Sequence, residues 1–240
     1  MNVANGSDAK FEHELLRIRS AYDHRKSVPP GKYSPQNAAV RLCVEERHRH
    51  TLALLRGAAL DISQASILDV GCGTGGWTRD FIKFGARPAN IVAIDLLQDR
   101  IDIAKRLTTP GVTWECGSAH QLRFQAASFD LVMQSTVFSS ILDGTMKRQI
   151  ATEMLRVLRP GRFVLWYDFF PNNPANPDVR GLRKAEIRGL FPGCRIFWRR
   201  ITLAPPIARI VGPIWAPMYR FLSASKILCT HHLALIEKPR

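Results

Sequence analysis

The 240-residue chain has no run of about 18 or more apolar residues, so no helix is expected to span a membrane. Cysteine is scarce: Cys43, Cys72, Cys116, Cys194 and Cys229 make an odd count with no C-x-x-C pair. That argues against a disulfide framework and a zinc site and fits a reducing cytoplasm. The stretch Met1 to Lys10 is polar and lacks the apolar segment of a secretory signal, which again makes the cytoplasm the expected location. Internal repeats and low-complexity segments are absent. Acidic residues are outnumbered, 20 against 34 basic, for a formal charge of +14. Such a field attracts nucleic acid, an acidic lipid surface or acidic small substrates. The arginines are spread over Arg17 to Arg25, Arg156 to Arg162 and Arg180 to Arg209, with no arginine-rich tail and no aromatic-interleaved repeat. A generally basic, solvated surface is the plainer reading.

At 46% hydrophobic residues, the chain can build one sizeable α/β domain. Its most informative stretch runs from Ile67 to Trp77. Ile67, Leu68 and Val70 surround Asp69 in a short apolar run that suits a parallel-sheet strand. Gly71, Gly73 and Gly75 let the backbone turn tightly and approach a ligand. Cys72 lies inside this turn, where a small residue is needed, so packing explains it better than reactivity. A helix with Trp77, Phe81, Ile82 and Phe84 follows, and Gly85 ends it.

By spacing alone, Gly71, Gly73 and Gly76 fit the dinucleotide fingerprint. A second apolar strand, Ile91 to Asp95, ends in a carboxylate placed to accept from ribose hydroxyls under any nucleoside reading. Asp69 separates the candidates. A dinucleotide sets an anionic pyrophosphate against such a turn, and a carboxylate is a poor neighbour for it. S-adenosylmethionine carries a sulfonium and an ammonium, both of which favour a nearby anion. The alternative is that Asp69 only caps the turn.

Along the chain, a first helix carries Phe11, Leu15, Leu16 and Ile18, and a second runs from about Asn37 to Arg56. Both precede the glycine turn and could cap a cofactor site. Further strands are expected at Val112 to Glu115, Phe129 to Gln134 and Arg162 to Tyr167, with a helix from about Thr145 to Val157 and a turn at Leu158 to Gly161. This alternation implies a parallel sheet with helices on both faces. After a Pro/Asn-rich loop at Pro171 to Pro177 come a helix near Leu182 to Leu190 and strands at Ile196 to Trp198 and Leu233 to Ile236. Between those strands, Leu203 to Leu222 is apolar but broken by Pro205, Pro206, Pro213 and Pro217.

Five ordered features now resemble the class I S-adenosylmethionine-dependent methyltransferases over roughly Ser66 to Pro239. They are the Asp69 to Gly75 turn, Asp95, Cys116 to Ala119, Phe129 to Val132, and Leu158 to Gly161. The resemblance implies a Rossmann-like seven-stranded sheet whose last strand, at Leu233 to Ile236, is antiparallel. Residues 1–60 would form a helical cap and 61–240 the cofactor-binding domain, with a Pro-rich insert near 203–222. It further implies that the backbone of Gly71, Cys72, Gly73 and Gly75 meets the methionine part of the cofactor, and that Asp69 faces its ammonium. Asp95 would hold the ribose and Leu96 the adenine. Ser118 stands where the family often has an Asp for the adenine amino group, with the Ala119 N–H beside it. Gln134 lies where cofactor and acceptor meet, and Arg162 replaces a common second glycine. The segments Trp166 to Gly181 and Leu203 to Pro206 look similar to a subgroup from bacterial specialised-metabolite and glycan gene sets.

Methyl transfer from a sulfonium depends mainly on alignment, and a hydroxyl or amine acceptor also needs a base. Candidates at the ligand end of the sheet are Asp168, Tyr167 and His231, with neighbouring His232. Loop capping is the alternative for Asp168 and a structural role for the histidines. In the N-terminal region Tyr22, Arg25 and Tyr33 are candidates for the methionine carboxylate, or else lie on a solvated helix face. No paired acidic motif points to a metal. The insert, with Trp215, Tyr219 and Phe221, reads as a lid over an apolar or aromatic acceptor, as a homodimer surface, or as a membrane-docking patch.

The leading expectation is methylation of a small molecule, on oxygen, with an anionic or an apolar acceptor. RNA methylation is the alternative the charge suggests, but Met133 to Thr136 lacks the Asn/Asp-Pro-Pro-aromatic signature of amino-methylating nucleic-acid enzymes. A cofactor-binding protein without turnover is the third.

Overall fold

The computed structural model of the chain describes residues 4–25, 37–174 and 176–240, with side chains of the first segment described from Ala9 to His24. The strands are β1 (Ile67–Val70), β2 (Ile91–Asp95), β3 (Thr113–Cys116), β4 (Phe129–Ser135), β5 (Leu158–Phe169), β6 (Arg195–Leu203) and β7 (Cys229–Glu237). They form one sheet in the order β3-β2-β1-β4-β5-β7-β6. β1 to β5 pair in parallel, and β7 runs antiparallel to both of its neighbours. The expected seven-stranded sheet with an antiparallel last strand is therefore present. The order reverses between β1 and β4, which opens a crevice beyond their carboxyl ends, the usual ligand position in such sheets.

The helices are α1 (Ala4–Arg25), α2 (Ala38–Gly57), α3 (Gly76–Lys83), α4 (Gln98–Leu107), α5 (Gly144–Val157), α6 (Lys184–Leu190), α7 (Pro205–Ile214) and α8 (Ala216–Ala224). Alternation along the strands divides the core into two layers. Leu68, Val70, Val132, Val164 and Trp166 pack with α5 and α6, while Ile67, Leu131, Met133 and Leu165 pack with α3 and the end of α2. Strands buried on both faces explain the nearly unbroken apolar runs in the sequence.

Three local differences from the sequence reading have simple causes. The turn expected at Leu158 to Gly161 is absorbed into β5 as a bulge: Phe129 faces Leu158, while Leu131 already faces Phe163, and Gly161 takes a φ of +69°. The insert forms two helices, because Pro205, Pro206 and Pro217 sit in first turns, where no backbone N–H is needed. Of the two N-terminal helices, α1 lies over the crevice, whereas α2 packs on the insert through Ala39, Leu42 and Cys43.

Candidate cofactor cleft

The crevice begins at the glycine turn. Gly71, Gly73 and Gly75 have φ values of +66°, +55° and +77°, which side chains on an L-residue rarely allow. The N–H groups of Gly71 and Cys72 both donate to the Ile94 carbonyl, at 2.8 and 3.1 Å, and fasten the turn to β2. A Cβ on Gly71 would overlap Cγ2 of Val137, which Thr136, itself at φ +55°, brings against the turn. Asp95 completes the frame: Oδ2 accepts from the Gly73 N–H at 2.8 Å and Oδ1 from the Leu97 N–H at 3.0 Å. Each carboxylate oxygen retains acceptor capacity for a ligand hydroxyl. Burial pushes the Asp95 carboxyl upward in pKa against these bonds.

The cleft encloses about 660 Å³, part of it open to solvent. Its walls come from Val70 and Gly71, from Ile94 to Leu97, from Gly117 to Ala119, and from Ser135 and Val137. Ile141, Met146 and Ile150 add an apolar side, and Leu15, Ile18 and Tyr22 of α1 close over it. This helix is latched by Glu14, whose Oε1 accepts from the Leu142 N–H at 2.5 Å. Arg17 bonds both Glu14 oxygens at 2.9 Å and donates to the Ser140 carbonyl at 2.6 Å. Further along α1, Tyr22 lies under the Arg100 guanidinium, 4.6 Å from its ring centroid, and its hydroxyl is 3.4 Å from Ser140 Oγ.

Several sequence candidates converge here: Gly71, Asp95, Leu96, Ser118, Ala119 and Tyr22 line the cleft. Ser118 Oγ pairs with His120 Nδ1 at 2.6 Å. Asp69 stands behind the turn, 1% exposed, and accepts from Thr78 Oγ1 at 2.7 Å. Burial first, and then the charge of Asp95, raise its carboxyl to about 7. Cys72 packs with Ala93 and Ile101 rather than toward the cleft. Gln134 is fully buried next to Val70; its Oε1 accepts from the Val137 N–H at 3.2 Å and its Nε2 has no partner. The Arg25 side chain and Tyr33 lie outside the described residues.

The three base candidates do not converge on the cleft. Asp168 is 1% exposed and accepts from the N–H groups of Ser139 and Phe169 at 3.1 and 2.9 Å, so it pins the segment after β4. Burial raises its carboxyl to about 7. Tyr167 lies on the opposite sheet face, where its hydroxyl meets Thr202 Oγ1 at 2.8 Å and its ring stacks on His231 at 4.9 Å. Burial holds His231 at about 4, and His232, stacked on Phe170, is held at about 4 for the same first reason. None of these four lines the cleft.

Sequence reasoning missed Arg100, Val137 and the α5 wall. The signal for Arg100 was a cation in the first turn of the helix after Asp95. Leu15, Ile18 and Tyr22 also repeat at helical spacing, which places them on one face. The chemistry of this donor set fits a cationic ribose-bearing ligand: a carboxylate at the ribose position, a second buried carboxylate behind the turn, and apolar walls.

Residues 67–161 match the methyltransferase domain family. The chain is 35% identical over 115 residues to phthiotriol/phenolphthiotriol dimycocerosates methyltransferase of Mycobacterium tuberculosis, which covers 48% of this chain and 41% of that protein. It is 32% identical over 149 residues to fatty-acid O-methyltransferase of Mycolicibacterium smegmatis, covering 61% of this chain and 53% of that protein. The chain thus spans about half the length of these relatives, and 19% of the bifunctional biotin biosynthesis protein BioHC of Cellvibrio japonicus. Among solved structures, a putative sarcosine dimethylglycine methyltransferase from Galdieria sulphuraria aligns with a TM-score of 0.61 at 17% identity, over 80% of this chain and 85% of that one. The [4+2]-cyclase SpnF aligns at 0.57 and 18% identity, over 80% and 81%, so the shared fold does not by itself fix a reaction.

Proposed function

We propose that the chain is an S-adenosylmethionine-dependent methyltransferase, that it methylates an oxygen of an apolar, lipid-like small molecule, and that this oxygen ionises without help from the protein. The observation that carries this reading is the cleft wall. Among the described residues, Asp95 is its one carboxylate, it already holds Gly73 and Leu97, and no histidine lines it. A carboxylic acid is already an anion at neutral pH, whereas a phenol, with a pKa of about 10, supplies only a small anionic fraction of its own there. An aliphatic alcohol or an ammonium acceptor would need a base within hydrogen-bond reach.

The wall from Ile141, Met146, Ile150, Leu15 and Ile18 suits a hydrocarbon body. The names of the relatives, a fatty-acid O-methyltransferase and a dimycocerosate methyltransferase, support the same class. When bound, S-adenosylmethionine supplies a methyl group activated on a sulfonium. The protein's part is to hold and orient: the turn and Asp95 would fix the ribose and amino-acid ends, Leu96, Ser118 and Ala119 the adenine, and the buried charge of Asp69 would favour the cation. Arg100, beside Gly73 and stacked on Tyr22, is a guanidinium placed for the donor's carboxylate. The α1 helix would exclude water and align the acceptor.

The test is a panel of fatty acids, phenols, sterols, amines and RNA, assayed by release of S-adenosylhomocysteine. Turnover with acids or phenols is expected. Turnover confined to amines or RNA would overturn the acceptor class, and failure to bind S-adenosylmethionine in calorimetry would overturn the function altogether.

A further inference from the structure

The two insert helices and their flanks leave a group of large apolar side chains facing water. α7 turns Ala208 and Gly212 inward, so close to α2 that a Cβ on Gly212 would lie 2.9 Å from Ala39 Cα. Ile207 and Val211 pack beside them, but Ile210 is 67% exposed and Ile214 78%. α8 repeats this arrangement. Tyr219 and Ser223 are buried, with the Tyr219 hydroxyl donating to Glu46 Oε2 at 2.9 Å, while Phe221 is 74% exposed. Trp215 between the helices and Ile227 after them, 57% and 75% exposed, extend the same face. Helices that bury small or hydrogen-bonded side chains and expose large apolar ones gain nothing from water on that face.

The charges around this face have one sign. From Leu203 to Thr230 there is no Asp or Glu, but Arg209, Arg220 and Lys226 are present. Lys226 also gathers with Arg49 and Arg199 about His50: burial, and then these three cations, hold that imidazole at about 4. The whole chain carries +14. A large apolar face bordered by cations, with a tryptophan at its centre, has the composition of an element that lies in a lipid interface. No described helix is long and apolar enough to cross a membrane, so the contact is with one surface.

We propose that the α7–α8 face docks this protein on the surface of an anionic lipid bilayer, with Ile214, Trp215 and Phe221 entering the acyl boundary and Arg209, Arg220 and Lys226 meeting the headgroups. A second copy is the less fitting occupant. A two-fold contact sets a patch against itself, which here brings cations toward cations with no carboxylate in the segment to separate them. The insert joins β6 to β7 at the end of the sheet where the cleft opens, so docking would hold the cleft end near the membrane. The inference does not depend on which acceptor the cleft takes.

The experiment is co-sedimentation of the full chain with vesicles of pure phosphatidylcholine and with vesicles containing roughly a third phosphatidylglycerol. Binding to the anionic vesicles, weakened by salt, is expected. The double variant Ile214→Ser/Phe221→Ser and the double variant Arg209→Gln/Arg220→Gln should each weaken it at least about tenfold, because each removes two membrane contacts. Both pairs are exposed, so melting curves should stay at the wild-type temperature. Two results would overturn the proposal: no binding to anionic vesicles, or variants that bind as the wild type does. A dimer in sedimentation analysis that Ile214→Ser/Phe221→Ser dissolves, with no vesicle binding, would give the face to a second copy instead.

Discussion

The Gly73 N–H donates to Asp95 Oδ2 at 2.8 Å across 22 residues of sequence, so the carboxylate that faces the cleft also holds the glycine turn in shape. Asp95→Ala should therefore damage donor binding twice over, by removing a ligand contact and by freeing the turn. A charge-assisted hydrogen bond contributes about 1.5–3 kcal/mol, so calorimetry should find the Kd for S-adenosylmethionine raised by at least about tenfold. An unchanged Kd would mean that the cofactor lies elsewhere.

Asp69 acts from behind the turn. With its carboxyl raised to about 7 in the free protein, part of the population is protonated at neutral pH. A cationic donor favours the ionised form, so binding must expel that proton in acid. Affinity should fall as pH drops below about 7 in the wild type. In Asp69→Asn it should be lower at pH 8 and lose this dependence. Thr78, which donates to Asp69 at 2.7 Å, can still donate to the Asn oxygen, so the fold should survive. An Asp69→Asn profile parallel to the wild type would rule out Asp69 as the source.

Gly71 and Val137 form a lock between β1 and the segment after β4. Gly71→Ala meets two costs: overlap with Val137 Cγ2, and a left-handed φ that costs an L-residue roughly 1–2 kcal/mol. Only the first is relieved by a second change. Gly71→Ala/Val137→Ala should recover part of the lost melting temperature, though not all of it. If the double variant melts no higher than Gly71→Ala, the contact is not what makes glycine necessary.

The parts of this design that were legible in the sequence are those carried by local pattern. The apolar run before Asp69, the glycines after it and Asp95 ending the next apolar run mark β1, the turn and β2, because each is a short-range constraint. The location of Asp168 at the ligand end of β5 was also legible, but not its use. Whether its carboxylate meets a ligand or the Ser139 N–H depends on how the segment after β4 folds back, a contact across 29 residues. Tyr167 and His231 lie away from the cleft for a related reason: neighbours on a strand point to opposite faces, and the sequence does not say which face carries the cleft. The insert shows the same limit. Its prolines read as helix breakers, yet three of them fall in first turns, where proline is tolerated.

His231 should leave its mark on stability rather than on catalysis. Its imidazole is held at about 4 in the folded state, below the ordinary 6.5, first by burial and then by Arg47 and His232. A base with a depressed folded pKa contributes stability above about pH 6.5, and that contribution is lost as pH falls toward 4, because the unfolded chain takes up the proton first. Asp69 and Asp168, raised to about 7, work in the opposite sense: their contribution is present near pH 4 and lost as pH rises toward 7. His231→Gln removes only the first trend. Its stability relative to the wild type should therefore improve steadily from pH 6.5 to pH 4 in denaturant titrations, whatever its absolute loss from the broken stack on Tyr167. A constant difference over that range would show that His231 does not stay neutral in the fold.

The α1 latch ties the cleft to a residue that lines none of it. Glu14 is buried, and although burial opposes ionisation, the bonds from Arg17 and the Leu142 N–H hold its carboxyl below the ordinary value. Removing it leaves the Leu142 and Asp143 N–H groups and Arg17 without their shared acceptor, and α1 loses its anchor on the loop before α5. Leu15, Ile18 and Tyr22 would then no longer be held over the cleft. Glu14→Ala should raise the Kd for S-adenosylmethionine several-fold, with hydrogen exchange increasing in α1 but not in β1 or β4. Glu14→Gln keeps an acceptor oxygen, though not the charge that pairs with Arg17, and should fall between the two. If Glu14→Ala speeds exchange in α1 but leaves the Kd untouched, the helix is a passive cover. If it weakens binding without affecting exchange, Glu14 acts on the cleft by charge alone.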